Sequence, residues 1–584
     1  MSAWQLPFVR PASLEGRHFS TVIVGAGING VGVFRDLSLQ RVDCLLVDKG
    51  DFGAGASSAP SRMIHGGLRY LENGGFSLVA EATRERNLLL RNAPHLVRPL
   101  ETVVPLSSLF GGLASSALRF IGRNPPQKRT RGLLAVALGL RLYDMLGRRQ
   151  RALPAHRIER LRGGDRSLFR EAVRWAATYF DAWISHPEWL IHELIADACH
   201  DQPRSAAVNY CRAVGCAGNM LTLRDELTGA PVQVTADCVV NAGGAWLDRC
   251  ASVLGGATPR VMGTKGSHLV LDHPPLRQAL AGRMAYFEAV DGRVCVVYPF
   301  LGRVLVGSTD IPVEDPDRIA TEPQEVDYLL EVLRELFPAL RFDKDQVVYT
   351  FVGVRPLARS DAEHPGQISR DHSVVIDPPD ATRDIPVVGL VGGKWTTFRA
   401  LAEEASDRVL GQLGRTRTAS TRELAIGGGA DYPAGEAACS QMTQRIVGAS
   451  GLSPGRASAL VARYGSKAPA LAQRLAASGD RPLAHAGSYS AAEIGYLCLE
   501  TGVVHLDDLV IRRTLLAIRG QIDDAALAEL ADVAAEVLGW DAARRQQELH
   551  DCARRLRERH GVPLASVPPH ADASAAFEAS SLVP

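Results

Sequence analysis

The chain has 584 residues, of which 46% are hydrophobic, and its 65 basic and 64 acidic side chains leave a formal charge of +1. At about 150 residues per domain this length predicts three to four structural units, and the apolar content excludes intrinsic disorder, which needs low hydrophobicity and high net charge. The balanced total also excludes a globally basic nucleic-acid-binding surface.

No apolar core follows a basic start in the first 20 residues, so no secretory signal is expected. No uninterrupted apolar run reaches the ~18 residues of a transmembrane helix. Ten cysteines stand without a CxxC pair, which predicts reduced thiols in a cytosolic protein, with neither a metal site nor a disulfide framework.

In chain order, Ser20–Val24 reads as a buried strand, Gly25-Ala26-Gly27-Ile28-Asn29-Gly30 as a tight turn, the stretch to Gln40 as a helix, and Asp43–Val47 as a second strand ending at Asp48. Residues 51–75 are rich in Gly and Ser, and Phe76–Leu96 has helical spacing. Residues 107–151 combine glycines, an Asn-Pro-Pro break at 124–126, an apolar run at 133–140 and many arginines. Strand-like segments recur at 205–240, 267–272, 293–298, 303–307 and 347–352, with a helix at Pro323–Leu336 among them. Residues 412–435 read as a linker, 436–561 as a helical domain rich in Ala, Leu and Arg, and 566–584 as a disordered tail. There is no internal repeat.

The GxGxxG turn follows a strand and opens a helix, and Asp48 ends the next strand eighteen residues after Gly30. That context is what a dinucleotide fingerprint requires. Gly25 permits the turn, Gly27 lets the backbone approach a pyrophosphate, Gly30 lets helix and strand pack closely, and Asp48 accepts from a ribose. Two later returns, Asp237-Cys-Val-Val-Asn-Ala-Gly-Gly-Ala-Trp246 and Val387-Val-Gly-Leu-Val-Gly-Gly-Lys-Trp-Thr-Thr397, each run an apolar strand into small residues. Three widely spaced returns to one cofactor favour FAD over NAD. Ser57, Ser58, Ala242, Gly243, Gly392, Gly393 and Thr396 join Gly25, Gly27, Gly30 and Asp48 as expected cofactor contacts.

At Ser61-Arg-Met-Ile-His-Gly-Gly-Leu-Arg-Tyr-Leu71 the sequence resembles the FAD-dependent glycerol-3-phosphate dehydrogenases. The likeness continues through Leu142-Tyr-Asp-Met-Leu-Gly147, Tyr179-Phe-Asp181, Lys265-Gly-Ser-His268, Gly307-Ser-Thr-Asp310, Gly353-Val-Arg-Pro-Leu357, Gly392-Gly-Lys-Trp-Thr-Thr397 and Asp507-Asp-Leu-Val-Ile-Arg-Arg-Thr514. The resemblance implies an α/β fold: a discontinuous Rossmann-like FAD-binding domain (about 18–106, 190–265 and 350–411), an inserted mixed or antiparallel-sheet substrate domain (about 107–189 and 266–349), and a C-terminal α-helical domain. It implies oxidation of glycerol 3-phosphate to dihydroxyacetone phosphate, with the C2 hydride passing to the flavin and electrons leaving to a quinone or, in related oxidases, to oxygen. It also allows a homodimer. Two residues depart from the family pattern: Arg62 stands where a lysine is common, and Glu188, in His186-Pro-Glu-Trp-Leu190, where an arginine is common.

The reaction needs a base for the C2 hydroxyl and cations for a phosphate dianion. His65 is the expected base, because an imidazole titrates near operating pH. Arg69 and Arg355 are expected at the phosphate, where a planar fork suits bidentate recognition. The chain has only six lysines against 59 arginines, yet two lie inside family motifs, which places Lys394, and less directly Lys265, at the active site. Tyr70 and His268 are expected to hydrogen-bond the substrate.

Residues 119–151 hold nine basic side chains and one acid, a local +8 that leaves −7 for the remainder. Basic charge beside apolar residues suits an interfacial helix on an anionic bilayer, or an ordinary solvated face covering the core; the resemblance, with a quinone acceptor dissolved in the membrane, implies peripheral attachment to the inner face of the cell membrane. Three other readings stand beside this one: a soluble oxidase, an enzyme for another small polyol phosphate, and a flavin-binding protein without turnover.

Overall fold

Strands buried on both faces read as unbroken apolar runs and are joined by long crossovers; the strands at 44–47 and 387–391 are such runs throughout, and those at 18–24 and 231–241 become so only at their C-terminal ends, Val22–Val24 and Cys238–Val240. The computed structural model describes residues 9–68, 71, 75–109, 132–146, 152–163, 168–256, 258–289, 291–359 and 372–565. In it these segments form one sheet in the order Ser373–Asp377, Val387–Val391, Pro231–Asn241, His18–Val24, Cys44–Val47, Ala206–Val208. Neighbours from Val387–Val391 to Ala206–Val208 run parallel. The register sets Val24 beside both Val47 and Asn241, so three strands reach the same level and their following loops share one edge.

The helix Ile28–Leu39 is buried around most of its circumference. Its Val31, Val33, Phe34 and Leu37 join a core with Leu190 and Leu194 of the helix Pro187–Asp201 and with Phe398 and Leu401 of the helix Phe398–Gln412. A helix that is apolar nearly all round can be stable only when covered in this way.

A second, ten-stranded sheet stands on the first. Its strands Val261–Leu271 and Val347–Ala358 pair antiparallel from Val261↔Ala358 to Leu271↔Val347. Val97–Leu106 pairs antiparallel with Trp175–Ile184 along its whole length. These pairings correct the expected domain boundaries. Residues 97–106 belong to the second sheet, and boundaries at 265 and 350 would cut strands whose full lengths are paired there. The expected helix Pro323–Leu336 has those bounds, opened by a capping box of Glu322 and Glu325.

Residues 412–435 are not a loose linker. Arg417 donates to Asp36 at 2.8 Å, Gln40 accepts from the Thr418 and Ala419 N–H groups, and the buried Gly427 and Gly428 N–H groups donate to Asp197 and Glu193. The segment therefore straps the helical domain onto the flavin-side helices. That domain comprises Glu436–Ser450, Pro454–Tyr464, Ala468–Ala477, Ala491–Glu500, Asp524–Leu538 and Ala542–His560, with a wider helical turn at Asp508–Arg513. The tail 566–584 lies outside the described residues.

The turn at Asp508–Arg513 ties the two regions together. Asp51, fully buried just beyond the second strand, accepts from Arg513 at 2.7 Å through both oxygens and from Arg512 at 2.5 Å. Burial alone would raise this carboxylate, but the two guanidiniums outweigh it and hold the group well below the usual range. Its contribution to stability is therefore present above the ordinary carboxylate pKa and lost only in strong acid. Asp51→Ala would leave the buried Arg513 guanidinium without its carboxylate, while Arg512 keeps Asp507 and Asp508, and such a loss costs about 3–5 kcal/mol. The unfolding midpoint should fall accordingly, whereas Asp345→Ala, on an exposed turn, should leave it unchanged.

Candidate active site

In an open parallel sheet, ligands bind beyond the carboxyl ends of the strands. Here Gly25, Asp48, Ala242 and Gly392 are the first residues beyond four such ends, and they line a continuous cavity of about 2670 Å³ that extends between the two sheets. Gly25 has φ 108°, and a Cβ there would lie 2.5 Å from the Ala242 carbonyl oxygen. Gly30 does not reach the cavity. A Cβ on it would lie 2.0 Å from the Gly25 carbonyl oxygen, so its part is the helix–strand packing that the fingerprint assigns to it.

The loops of this edge are bonded to one another. Ser57 Oγ accepts the Ile28 N–H at 2.9 Å, Trp395 Nε1 donates to the Ser57 carbonyl at 3.0 Å, and Thr396 Oγ1 accepts the His65 N–H at 3.2 Å. Ser58, Gly243 and Gly393 complete this lining. Asp48 accepts the Ala26 and Gly50 N–H groups at 2.7 and 2.9 Å, and burial, opposed by those two bonds, pushes its carboxyl up to about 6.

The second sheet supplies the other wall. His65, His268, Arg355 and Lys394 all line the cavity, and Arg69 and Tyr70 lie outside the described residues. Arg355 donates to Ser308 Oγ at 2.7 Å and to Asp310 at 3.2 Å. A Cβ on Gly266 would lie 2.1 Å from this guanidinium, which explains the glycine in Lys265-Gly-Ser-His268. His268 is stacked on its cross-strand partner Phe351 with ring centroids 4.7 Å apart, and its Nε2 lies 2.7 Å from Ser61 Oγ. Burial first, then Arg355 and Arg62, depress its pKa to about 3, so its ring is neutral across the working range.

Lys265 is not part of this wall. Its Nζ lies 2.7 Å from Glu322 and 2.9 Å from Glu325, and the expected place at the substrate is corrected by that pairing. The charge of this scarce lysine serves an ion cluster with the exposed Glu322 and the buried Glu325.

Sequence reasoning gave no role to the network behind His65. Asp181 accepts the Gly66 N–H at 2.9 Å, the Tyr143 hydroxyl at 2.6 Å and Arg86 at 2.9 Å. Tyr143 and Asp181 lie in the Leu-Tyr-Asp-Met-Leu-Gly and Tyr-Phe-Asp motifs, so their presence there was the available signal. All three side chains are buried, and they hold the His65–Gly66 turn in place.

The two departures from the family pattern meet in space. Arg62, at φ 53°, donates to Glu188 at 2.8 and 3.3 Å and to the Ser185 carbonyl at 3.1 Å, with side-chain exposures of 4% and 3% for the ion pair. The guanidinium also lies over Phe300, 5.4 Å from the ring centroid. Burial raises the Glu188 carboxyl, and Arg62 opposes that shift. Both residues line the cavity, and the pair removes the uncompensated charge that either change alone would leave. Arg62→Met or Glu188→Leu should each cost about 3–5 kcal/mol, the penalty of one buried charge left alone. The double variant should recover most of that loss, and thermal unfolding of the three proteins measures the coupling.

A family model described as FAD dependent oxidoreductase matches residues 20–408, and one described as the C-terminal domain of alpha-glycerophosphate oxidase matches residues 419–545. The chain is 33% identical to a glycerol-3-phosphate dehydrogenase of Synechocystis sp. over 69% of its own length and 72% of that protein's. It is 30% identical to one of Pseudomonas aeruginosa over 87% and 94%. Its fold is similar to the structure of a glycerol-3-phosphate dehydrogenase from Bacillus halodurans complexed with FAD, with a TM-score of 0.69 at 19% identity, covering 94% and 96% of the two chains. With a flavin-type sheet, a second sheet closing its crevice and both family models in chain order, the protein belongs to the FAD-dependent glycerol-3-phosphate dehydrogenase family.

Proposed function

We propose that the chain oxidises glycerol 3-phosphate to dihydroxyacetone phosphate. The observation that carries this reading is that His65, His268, Arg355 and Lys394 line the same cavity as the loops ending four parallel strands. FAD, when bound, supplies the two-electron acceptor, and Asp48, Gly25, Gly27, Ser57, Ser58, Ala242, Gly243, Gly392, Gly393 and Thr396 are the residues that would hold it. The cradle fits such a group, because the acceptor at Asp48 and the open backbone at Gly25 are already formed.

His65 takes the proton of the C2 hydroxyl on an imidazole nitrogen. Arg355, steadied by Ser308 and Asp310, and Lys394, whose Nζ is buried, bring positive charge to the phosphate dianion; Arg69 belongs to the same group. His268 stays neutral and orients the substrate by hydrogen bonding, with its ring fixed by Phe351 and Ser61 and with Tyr70 beside it in role. The network of Asp181, Tyr143 and Arg86 fixes the turn that presents the base.

For the electron acceptor we favour a membrane quinone. Supporting this, the helix Leu133–Leu146 presents Leu134, Leu138 and Met145 at 45, 60 and 61% exposure on one face, with the exposed Arg141 among them. Such a face suits peripheral attachment to the anionic inner surface of the cell membrane. Most of the strongly basic stretch 119–151 lies outside the described residues, and no described helix is long and apolar enough to cross a bilayer.

Anaerobic mixing of the purified protein with glycerol 3-phosphate should bleach the flavin absorbance, and an unbleached spectrum would overturn the substrate assignment. His65→Ala should retain FAD yet slow bleaching by about 10²–10⁴-fold, the usual share of a general base. Hydrogen peroxide release without added acceptor would replace the quinone by oxygen.

Asp48 gives a pH test. Its carboxyl, near 6 before cofactor binding, accepts from ribose hydroxyls best when ionised, so FAD binding favours the charged form. The dissociation constant for FAD should therefore be flat above about pH 7 and rise by up to about tenfold per unit below 6. Asp48→Asn should bind FAD more weakly at pH 8 and lose that dependence.

A further inference from the structure

The residues between the strand Ile311–Val313 and the helix Pro323–Leu336 leave the second sheet, reach the flavin-side domain and return. Both ends of this excursion are fixed. Ile311–Val313 pairs with Gly263–Lys265, and Lys265 Nζ holds the returning end through Glu322 at 2.7 Å, Glu325 at 2.9 Å and the Ala320 carbonyl at 3.3 Å. A compact ammonium with three acceptors around it gives this scarce lysine a physical reason.

At the tip, the Asp317 carboxylate accepts from Lys49 Nζ at 2.7 Å, Trp246 Nε1 at 2.9 Å and Arg249 at 2.7 Å. Arg249 donates its other nitrogen to Asp315 at 2.9 Å, and Lys49 lies over the Trp246 ring at 4.3 Å. All three donors to Asp317 stand on the flavin-side domain at the cofactor edge. Lys49 follows Asp48 directly, and Trp246 and Arg249 follow the small-residue turn at Ala242 and Gly243. Pro316, Asp317 and Ile319 line the same cavity as Gly25, Asp48 and Gly243.

We infer that residues 314–322 are a strap that the substrate domain closes across the cofactor cleft, with Asp317 as the positioning residue that latches it and so retains FAD. The inference rests on the reading that the ribose end of FAD lies at Asp48. The contacts are of the right strength for a latch. Lys49, Asp317 and Arg249 are 32, 45 and 54% exposed, so the pairs are individually weak, screened by salt and able to open. The deeply buried pairs elsewhere, such as Arg62–Glu188, have no such freedom.

The test is the rate at which FAD leaves the holoenzyme, followed by the fluorescence of released cofactor at low and at high salt. Wild type should release FAD faster as salt is raised. Asp317→Ala should release it about five- to tenfold faster at low salt, as three partly screened contacts allow, and should lose most of the salt dependence. Lys265→Met, which frees the returning end, should also speed release, while the apoprotein unfolding midpoint of Asp317→Ala stays at the wild-type value. Release from Asp317→Ala at the wild-type rate with the wild-type salt dependence would overturn the strap. Asp48→Ala separates the two readings. If it leaves FAD affinity unchanged, the cofactor placement fails; if it weakens FAD while Asp317→Ala behaves as wild type, only the strap fails.

Discussion

The cofactor edge of the first sheet is arranged around a contact that only a glycine permits. Gly25 sits at φ 108° against the backbone of Ala242, where a Cβ would stand 2.5 Å from a carbonyl oxygen. That approach lets the first helix begin directly over the end of the first strand. The register of the parallel strands brings Val24, Val47 and Asn241 to a common level. The Gly-rich turn, Asp48 and Ala242–Gly243 become neighbours as a result, though they come from parts of the chain some 200 residues apart. The crevice needs no further device on that side, because a parallel sheet offers its strand ends to ligands by construction.

The opposite wall is built by charge compensation. The chain uses arginine far more than lysine, and a few of its arginines are buried in pairs: Arg62 with Glu188, Arg86 with Asp181, Arg399 with Glu85, and Arg512 and Arg513 with Asp51. A buried pair is weak evidence of net stability, but a broken one is costly, so each fixes geometry strongly. Arg86–Asp181 holds the turn carrying His65, and Asp51 holds the helical domain to the flavin side. Arg355 is different. Its pair with Asp310 at 3.2 Å is about a quarter exposed and faces the cavity.

The flavin half of the fold was legible because its signals are local. A strand, a glycine turn, a helix and an acid at fixed spacing can be read within 30 residues, and the helix Pro323–Leu336 carries its own capping box. The site residues His65, His268, Arg355 and Lys394 were reached through motifs, and they meet in one cavity. What was not legible depends on pairing at long range. Nothing local says that Val97–Leu106 will join Trp175–Ile184, or that residues 412–435 will bind Asp36 and Glu193. Arg62 and Glu188 read as two unrelated departures because 126 positions separate them, and only folding makes them partners. Lys265 misled for a similar reason, since a rare residue in a motif signals that its charge matters without saying to what.

If the Gly25–Ala242 approach makes the FAD crevice, the FAD content and affinity of Gly25→Ala, measured beside its unfolding midpoint, will show it. The variant should fold but be purified largely without FAD, with affinity reduced by orders of magnitude on reconstitution. Stoichiometric FAD bound with wild-type affinity would contradict it.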